Sequence, residues 1–483
     1  MSSIPDTILS PRRRRWVWHT GTLLAILIIG LFLGFILRQD SPEALSALAH
    51  PAQSGARLME RHLAFYENEH AIPAWQRRFF HALFGDKQEI QRQALTAYRE
   101  ILAYFAAHPE RAQSWDLRDT RVRLAVLLME MGDDMAAENQ LQALGDMPEE
   151  EVIADTVRYA YDRPLRADVS MEEIHAGLRL FPSGWTRNKI RYLVYARADV
   201  PAAVPARQRL LAQGQRLQRD TLLLSLGLLA AGLAGVAGFL SLRRPGTTTW
   251  HAAALESAWS PMVGIQVLLL SLALGIVVFL ALAILPLPEE LVILRQWTTL
   301  TAGLPMLLLI HYRLLRPHGL SWVRAFGLRV SSHQLLALLL ATALIMTIER
   351  AGALFLGWAG YQLGLAPHWA DGISERWLWP THDNQWLGAI NLIVWAPLFE
   401  ELAFRGLLYT ALRRYLSPLP AAALSAGGFA ALHFYSLMGF VSVLWSGLVW
   451  AWAFERFRSL LPGMLSHAIG NLLALGLILV FYR

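Results

Sequence analysis

Cysteine is absent from the 483 residues. That excludes disulfides, Cys-ligated zinc, iron–sulfur centres and a cysteine nucleophile. It leaves the redox compartment open, because a chain without thiols tolerates either side of a membrane. Charge is also scarce: charged residues make up 17% of the chain against 55% hydrophobic, a balance shifted toward membrane proteins. RNP-like and zinc-finger patterns are missing, so no nucleic-acid partner is expected. The formal charge of +6 reads instead as basic residues anchoring helix ends on one side of a bilayer.

What the chain does have is long apolar runs. Crossing the hydrocarbon core takes about 20 apolar residues in a helix. Runs at 222–242, 262–285, 297–315, 333–363, 386–411, 419–436, 438–455 and 462–481 qualify. A further one, 16–37, follows Arg12–Arg15 and is too long for a cleaved leader, so it reads as an anchor. The expectation is about nine spans in contact with membrane lipid. The 333–363 run exceeds a simple span and predicts a tilted or broken helix. The 419–436 and 438–455 runs nearly abut and predict a tight hairpin.

Residues 39–219 differ, with frequent charges and no run of spanning length. Apolar residues recur at three and four, as in Ala97, Ile101, Leu102 and Phe105, which predicts helix. A helix over Val122–Met131, a Gly132-Asp133-Asp134 break and a second helix over Ala136–Leu144 resemble one tetratricopeptide (TPR) unit. An irregular helical bundle fits the pattern equally well. The fold class is therefore all-α: a polytopic membrane helix bundle with an inserted soluble α-helical domain, TPR-like or irregular. The expected domains are a basic tail and anchor (1–38), the soluble domain (39–219), membrane helices (220–318) and a catalytic membrane domain (319–483).

Basic residues give an orientation. Arg12–Arg15, Arg243, Arg244, Arg313, Arg316, Arg324, Arg329, Arg413, Arg414, Arg456 and Arg458 all fall on one side of nine spans. The opposite connections, 286–296, 364–385 and the link near Leu437, carry few. By the positive-inside rule the N-terminus is cytoplasmic and 39–219 extracytoplasmic, as in a bacterial inner (plasma) membrane. The outer domain is then where a protein partner would bind.

An ionised group at bilayer depth costs several kcal/mol and persists where it pairs or performs chemistry. In 386–411 the charged residues are Glu400, Glu401 and Arg405. His433 is the histidine of 419–436, and His467 that of 462–481. Glu401 and Arg405 stand four apart and share a helical face, as do Phe429 with His433 and His467 with Asn471. Glu400 is rotated by about 100° from Glu401, so it can face a cavity while its neighbour holds the arginine. Three helices thus each turn a polar stripe toward one buried site.

These residues resemble a known family. Glu400-Glu401-Leu402-Ala403-Phe404-Arg405, then Phe429-Ala430-Ala431-Leu432-His433, then His467-Ala468-Ile469-Gly470-Asn471 are similar to the EExxxR, FxxxH and HxxxN motifs of the CAAX prenyl endopeptidase type II and bacteriocin-processing (CPBP) family. Phe326-Gly327-Leu328-Arg329 also looks like its members. The resemblance covers about 320–483 and implies an intramembrane endopeptidase acting on a protein or peptide. It implies that Glu400 and His433 activate a water, that His467 and Asn471 stabilise the oxyanion, and that Glu401, Arg405 and Phe429 support the site. No cofactor is favoured. A zinc ion held by Glu400, His433 and His467 is the alternative, although no His-Glu-x-x-His pair is present.

Blander readings stand beside these. Glu401 and Arg405 serve as a structural pair. Glu349 and Arg350 form a pair or a helix break, or else a gate or substrate contact. His311 and His318 are interfacial, and Trp369–Trp386 is an interfacial aromatic belt. The other function classes are a catalytically silent membrane scaffold whose outer domain binds a partner, and a proton-coupled transporter, for which no internal repeat is evident.

Overall fold

The structure is a computed structural model. It describes residues 11–38, 45, 46, 48–145, 147–164, 170–242, 250–256, 258–286, 288, 294, 297–365, 368–370, 375–379 and 385–479. All regular structure among these residues is helical. The chain divides into a helical unit (42–226, 372–380 and 477–483) and a second unit (1–41, 227–371 and 381–476) that holds the apolar helices.

Among the described residues six helices are long and apolar enough to cross a membrane: Ala203–Gly238, Pro261–Ile284, Thr298–His318, Leu335–Gly360, Gln385–Leu412 and Leu437–Phe457. Trp18–Gly34 and Leu461–Leu477 are apolar but shorter. The protein is an integral membrane protein, and the described residues account for six full-length spans of the nine expected. The clearest correction falls on 419–436. Helix there covers only Pro418–Ala431, which at 1.5 Å per residue rises about 21 Å, short of the ~30 Å hydrocarbon core. Leu432 and His433 form a turn and Phe434 takes a left-handed φ of 52°, so the apolar run outlasts its helix.

Two long runs are continuous helices. Leu335–Gln362 is a single unbroken helix of 28 residues. Side chains of other helices, rather than a gap in its own ladder, satisfy Glu349. Ala203–Leu242 is one helix of 40 residues, so the charged stretch up to 219 and the apolar run from 222 share one continuous backbone ladder. No proline interrupts it beyond Pro205 in its first turn, where proline is tolerated.

In the helical unit the predicted stripe packs as expected. Ala97, Ile101 and Phe105 are buried in Lys87–Ala107, while Leu102 is half-buried. Gly132 ends Ser114–Met131 in the left-handed region, and the Asp133 N–H bonds back to Leu128 O at 3.0 Å. Asp133 then caps Asp134–Gln142 through the Ala136 N–H. These are the stop and start signals that glycine and aspartate supply. The Trp369–Trp386 stretch behaves differently from an aromatic belt. Glu375 accepts from the N–H groups of Ala49 and His50 and from Ser54 Oγ at 2.8, 2.9 and 2.6 Å. Trp377 is buried and Arg57 lies 4.8 Å over the Trp379 ring. Among the described residues of that stretch, Trp386 is widely exposed.

In the other unit close approaches set the geometry. A Cβ on Gly447 would stand 2.8 Å from Ala426 Cβ, so Leu437–Phe457 and Pro418–Ala431 pack through small residues. Gly327 has φ +68°, and a Cβ there would meet Arg458 O at 2.4 Å. The Leu460 N–H donates to Phe326 O at 3.1 Å and Ser459 Oγ to Gly327 O at 2.7 Å. The Phe326–Arg329 stretch thereby fixes the turn into the last helix, Leu461–Leu477.

The helical unit also carries a pH dependence. Burial pushes His62 down from 6.5 to about 4. Between those values the unfolded chain takes up a proton that the folded chain refuses. Stability from this group is complete at pH 7 and declines as pH falls from about 6.5 to 4, by up to about 3 kcal/mol. Unfolding midpoints of the full chain in detergent, measured from pH 7.5 to 4.5, should fall less steeply for His62→Gln than for the natural protein. Parallel curves would contradict the assignment.

Candidate active site

The Gln385–Leu412 helix is locally widened twice, into π-helical segments at Asn391–Trp395 and Leu402–Tyr409. The first lies just before Pro397. A proline has no N–H to give and crowds the carbonyl four residues back, and a π-bulge relieves both problems. Between the two bulges stand Glu400 and Glu401.

Their surroundings differ as the rotation between neighbours requires. Glu401 is buried with 1% of its side chain accessible, whereas Glu400 keeps 33%. The Glu401 carboxylate accepts from Arg405 Nη1 at 2.9 Å. Arg405 is fully buried. It donates through Nη2 to Gly447 O at 3.1 Å, and its guanidinium lies over the rings of Phe429 and Trp450 at 4.7 and 5.1 Å. A charge at this depth is held by one carboxylate, one carbonyl and two aromatic faces.

His467 joins the two glutamates. Its Nδ1 lies 3.2 Å from Glu401 Oε1 and its Nε2 3.5 Å from Glu400 Oε2. The imidazole is buried and stacks on the Trp450 indole, with centroids 4.1 Å apart and planes at 17°. Phe429 presents its edge at 6.0 Å and 86°. Ring position and tilt are therefore fixed by packing, and the direction of both nitrogens by carboxylates. With Nδ1–H donated to Glu401, Nε2 is the nitrogen left for Glu400 or a ligand.

Of the other expected site residues, His433 is placed on the turn after Ala431 rather than on the helix. Its Nδ1 is 2.9 Å from Phe429 O, and it lies within electrostatic range of Glu400, as His467 does. Asn471 donates Nδ2–H to Leu392 O at 2.8 Å, tying the last helix to the first π segment. Phe429 is the ring between Arg405, His433 and His467. Among the described residues no three His, Cys, Asp or Glu side chains are grouped as a metal ligand set.

Sequence reasoning missed Trp450 and the Gly447 carbonyl. Trp450 sits in a tryptophan-rich run with no motif of its own. Its one sequence signal is the three-residue spacing from Gly447, which puts both on the face that meets Arg405.

Fold and site together define a multi-helix integral membrane protein with a buried cluster of carboxylates, arginine and histidine. Residues 382–473, which contain all three motifs, match the Type II CAAX prenyl endopeptidase Rce1-like family. This is the CPBP-type protease family that the motif order resembles, and the match does not extend into the helical unit at 42–226. No curated protein and no solved structure matches the chain.

Arg405→Ala strands the Glu401 carboxylate in a buried site. The expected cost is about 3–5 kcal/mol, read as a lowered unfolding midpoint in detergent. Adding Glu401→Gln to that variant should recover part of the loss, because the stranded charge goes with it. Unchanged stability in Arg405→Ala would contradict the pairing.

Proposed function

We propose that the protein is an intramembrane endopeptidase that hydrolyses a peptide bond with a water activated by Glu400. The observation that carries this reading is the His467 imidazole lying between Glu400 and Glu401 inside the segment that matches the Type II CAAX prenyl endopeptidase Rce1-like family. The chain has no cysteine nucleophile, and with water as the nucleophile a base is needed. Glu400 is the carboxylate suited to it. Its partly open side chain can meet water and substrate, while Glu401 is closed in against Arg405.

In this mechanism Glu400 takes a proton from water as the oxygen attacks the scissile carbonyl. His433, whose Nδ1 faces Phe429 O, has Nε2 left to hold the same water. Negative charge grows on the carbonyl oxygen in the tetrahedral state, and donors aimed at that position lower the barrier. His467 Nε2–H supplies one. Asn471 has a second amide N–H besides the one on Leu392 O, and it supplies the other. The proton held by Glu400 then passes to the departing amine as the C–N bond breaks, which restores the carboxylate. Glu401 and Arg405 carry no proton in the cycle. They hold the imidazole in register.

The same reading sets the protein in a bacterial plasma membrane with the Arg12–Arg15 end cytoplasmic and 39–219 outside. The supporting observation is that Arg12–Arg15, Arg243, Arg244, Arg313, Arg316, Arg324, Arg329, Arg413 and Arg414 share one side of the apolar helices that precede Pro418. The substrate is a protein or peptide that reaches the site from the bilayer or its surface, and the outer domain is available to a protein partner.

Glu400→Gln keeps the shape of the side chain and removes the base. Quantitative proteomics of membrane fractions from cells carrying either form should show at least one precursor accumulating with the variant. The purified wild-type protein should cleave that precursor, at least 100-fold faster than Glu400→Gln, with or without a metal chelator. Equal cleavage by both forms would overturn the catalytic role of Glu400.

A further inference from the structure

Glu349 and Arg350 occupy the middle of the Leu335–Gln362 helix and take no part in the chemistry above. Such a pair at bilayer depth costs enough to need a reason. The glutamate has one. It is 4% exposed, and its carboxylate accepts from Ser446 Oγ at 3.1 Å and Ser466 Oγ at 3.2 Å. The arginine is less well provided for. Its Nη2 reaches Glu349 Oε1 only at 3.3 Å. Its buried Nε has no partner among the described residues, and 42% of the side chain is accessible.

The position of this guanidinium is specific. A Cβ built on Gly470 would stand 2.9 Å from Arg350 Nη2. Gly470 immediately precedes Asn471 and follows His467 by three residues, and Ser466, which holds Glu349, immediately precedes His467. Arg350 therefore lies against the last helix one residue away from the face that offers the oxyanion donors. The absence of a side chain at 470 is what makes room for it there.

We infer that Arg350 is a specificity residue that binds a carboxylate of the substrate beside the scissile bond, with Glu349 as the positioning residue that aims it. A guanidinium offers five N–H donors in a planar fork that matches a carboxylate. Here one edge is held loosely by Glu349 and another part is open. Ser446 and Ser466 fix the glutamate, so the arginine is directed rather than neutralised. The carboxylate has two sources, an acidic side chain or the free C-terminus of the chain being cut. This inference rests on the proposed protease reading for the word substrate, but its test reads binding and needs no turnover.

The test uses the full-length protein in lipid nanodiscs with Glu400→Gln to stop turnover. The probes are fluorescein-labelled Ala/Leu heptapeptides in three forms: free C-terminal carboxylate, C-terminal amide with one internal Glu, and neutral amide. At least one carboxylate form should bind tenfold or more tighter than the neutral amide, and which one does so identifies the source. Arg350→Gln should abolish that preference while leaving neutral-amide binding unchanged, and Arg350→Lys should keep part of it. Equal binding of all three forms, or a preference that survives Arg350→Gln, overturns the proposal. The first comparison needs no substitution at 350, so a variant that fails to fold does not shield it. Absence of cleavage by the Glu400-intact protein counts against the protease reading alone.

Discussion

One imidazole held between two carboxylates is the constraint on which the site depends. Glu401 is neutralised by Arg405, so His467 can lie against it without adding a bare negative charge to the interior. Glu400, one residue on, then meets the other nitrogen of the same ring. Breaking the Glu401–Arg405 pair would remove the support on which the ring orientation rests.

Packing converts this electrostatic arrangement into a fixed geometry. Trp450 stacks on the imidazole, and Phe429 stands edge-on to it while facing Arg405. The short Pro418–Ala431 helix can bring Phe429 in because Gly447 and Ala426 let the neighbouring helix approach. The π segments on either side of the glutamates widen their helix, and Asn471 bonds to the first of them. A bilayer supplies no water to satisfy misplaced polar groups, so the Asn471 bond to Leu392 O and the Arg405 bonds to Glu401 and Gly447 O keep buried donors in use.

Much of this was legible in the sequence because it depends on spacing. Helical periodicity put Glu401 with Arg405 on one face and separated Glu400 from them. Scarcity of charge in the last apolar runs marked the residues that converge. The hidden parts are those that periodicity does not encode. Hydropathy continues through Leu432–Phe440 although the helix stops at Ala431, because a left-handed residue at Phe434 is invisible to an apolar window. Trp450 could be found only once two helices crossed. Trp377 and Trp379 read as an interfacial belt, since tryptophans at a membrane edge and tryptophans packed into a helical unit have the same composition. The 203–242 helix reads as two segments because its charge changes midway while its backbone does not.

The central claim is that His467 bridges the carboxylates of Glu400 and Glu401. Nitrogen-15 NMR of the histidine-labelled protein tests it most directly. The His467 resonances would be identified among the fifteen histidines by their loss in His467→Phe. The account predicts a protonated, hydrogen-bonded Nδ1 whose shift moves in Glu401→Gln, and an Nε2 whose shift moves in Glu400→Gln. Two His467 nitrogens that ignore both substitutions would contradict it.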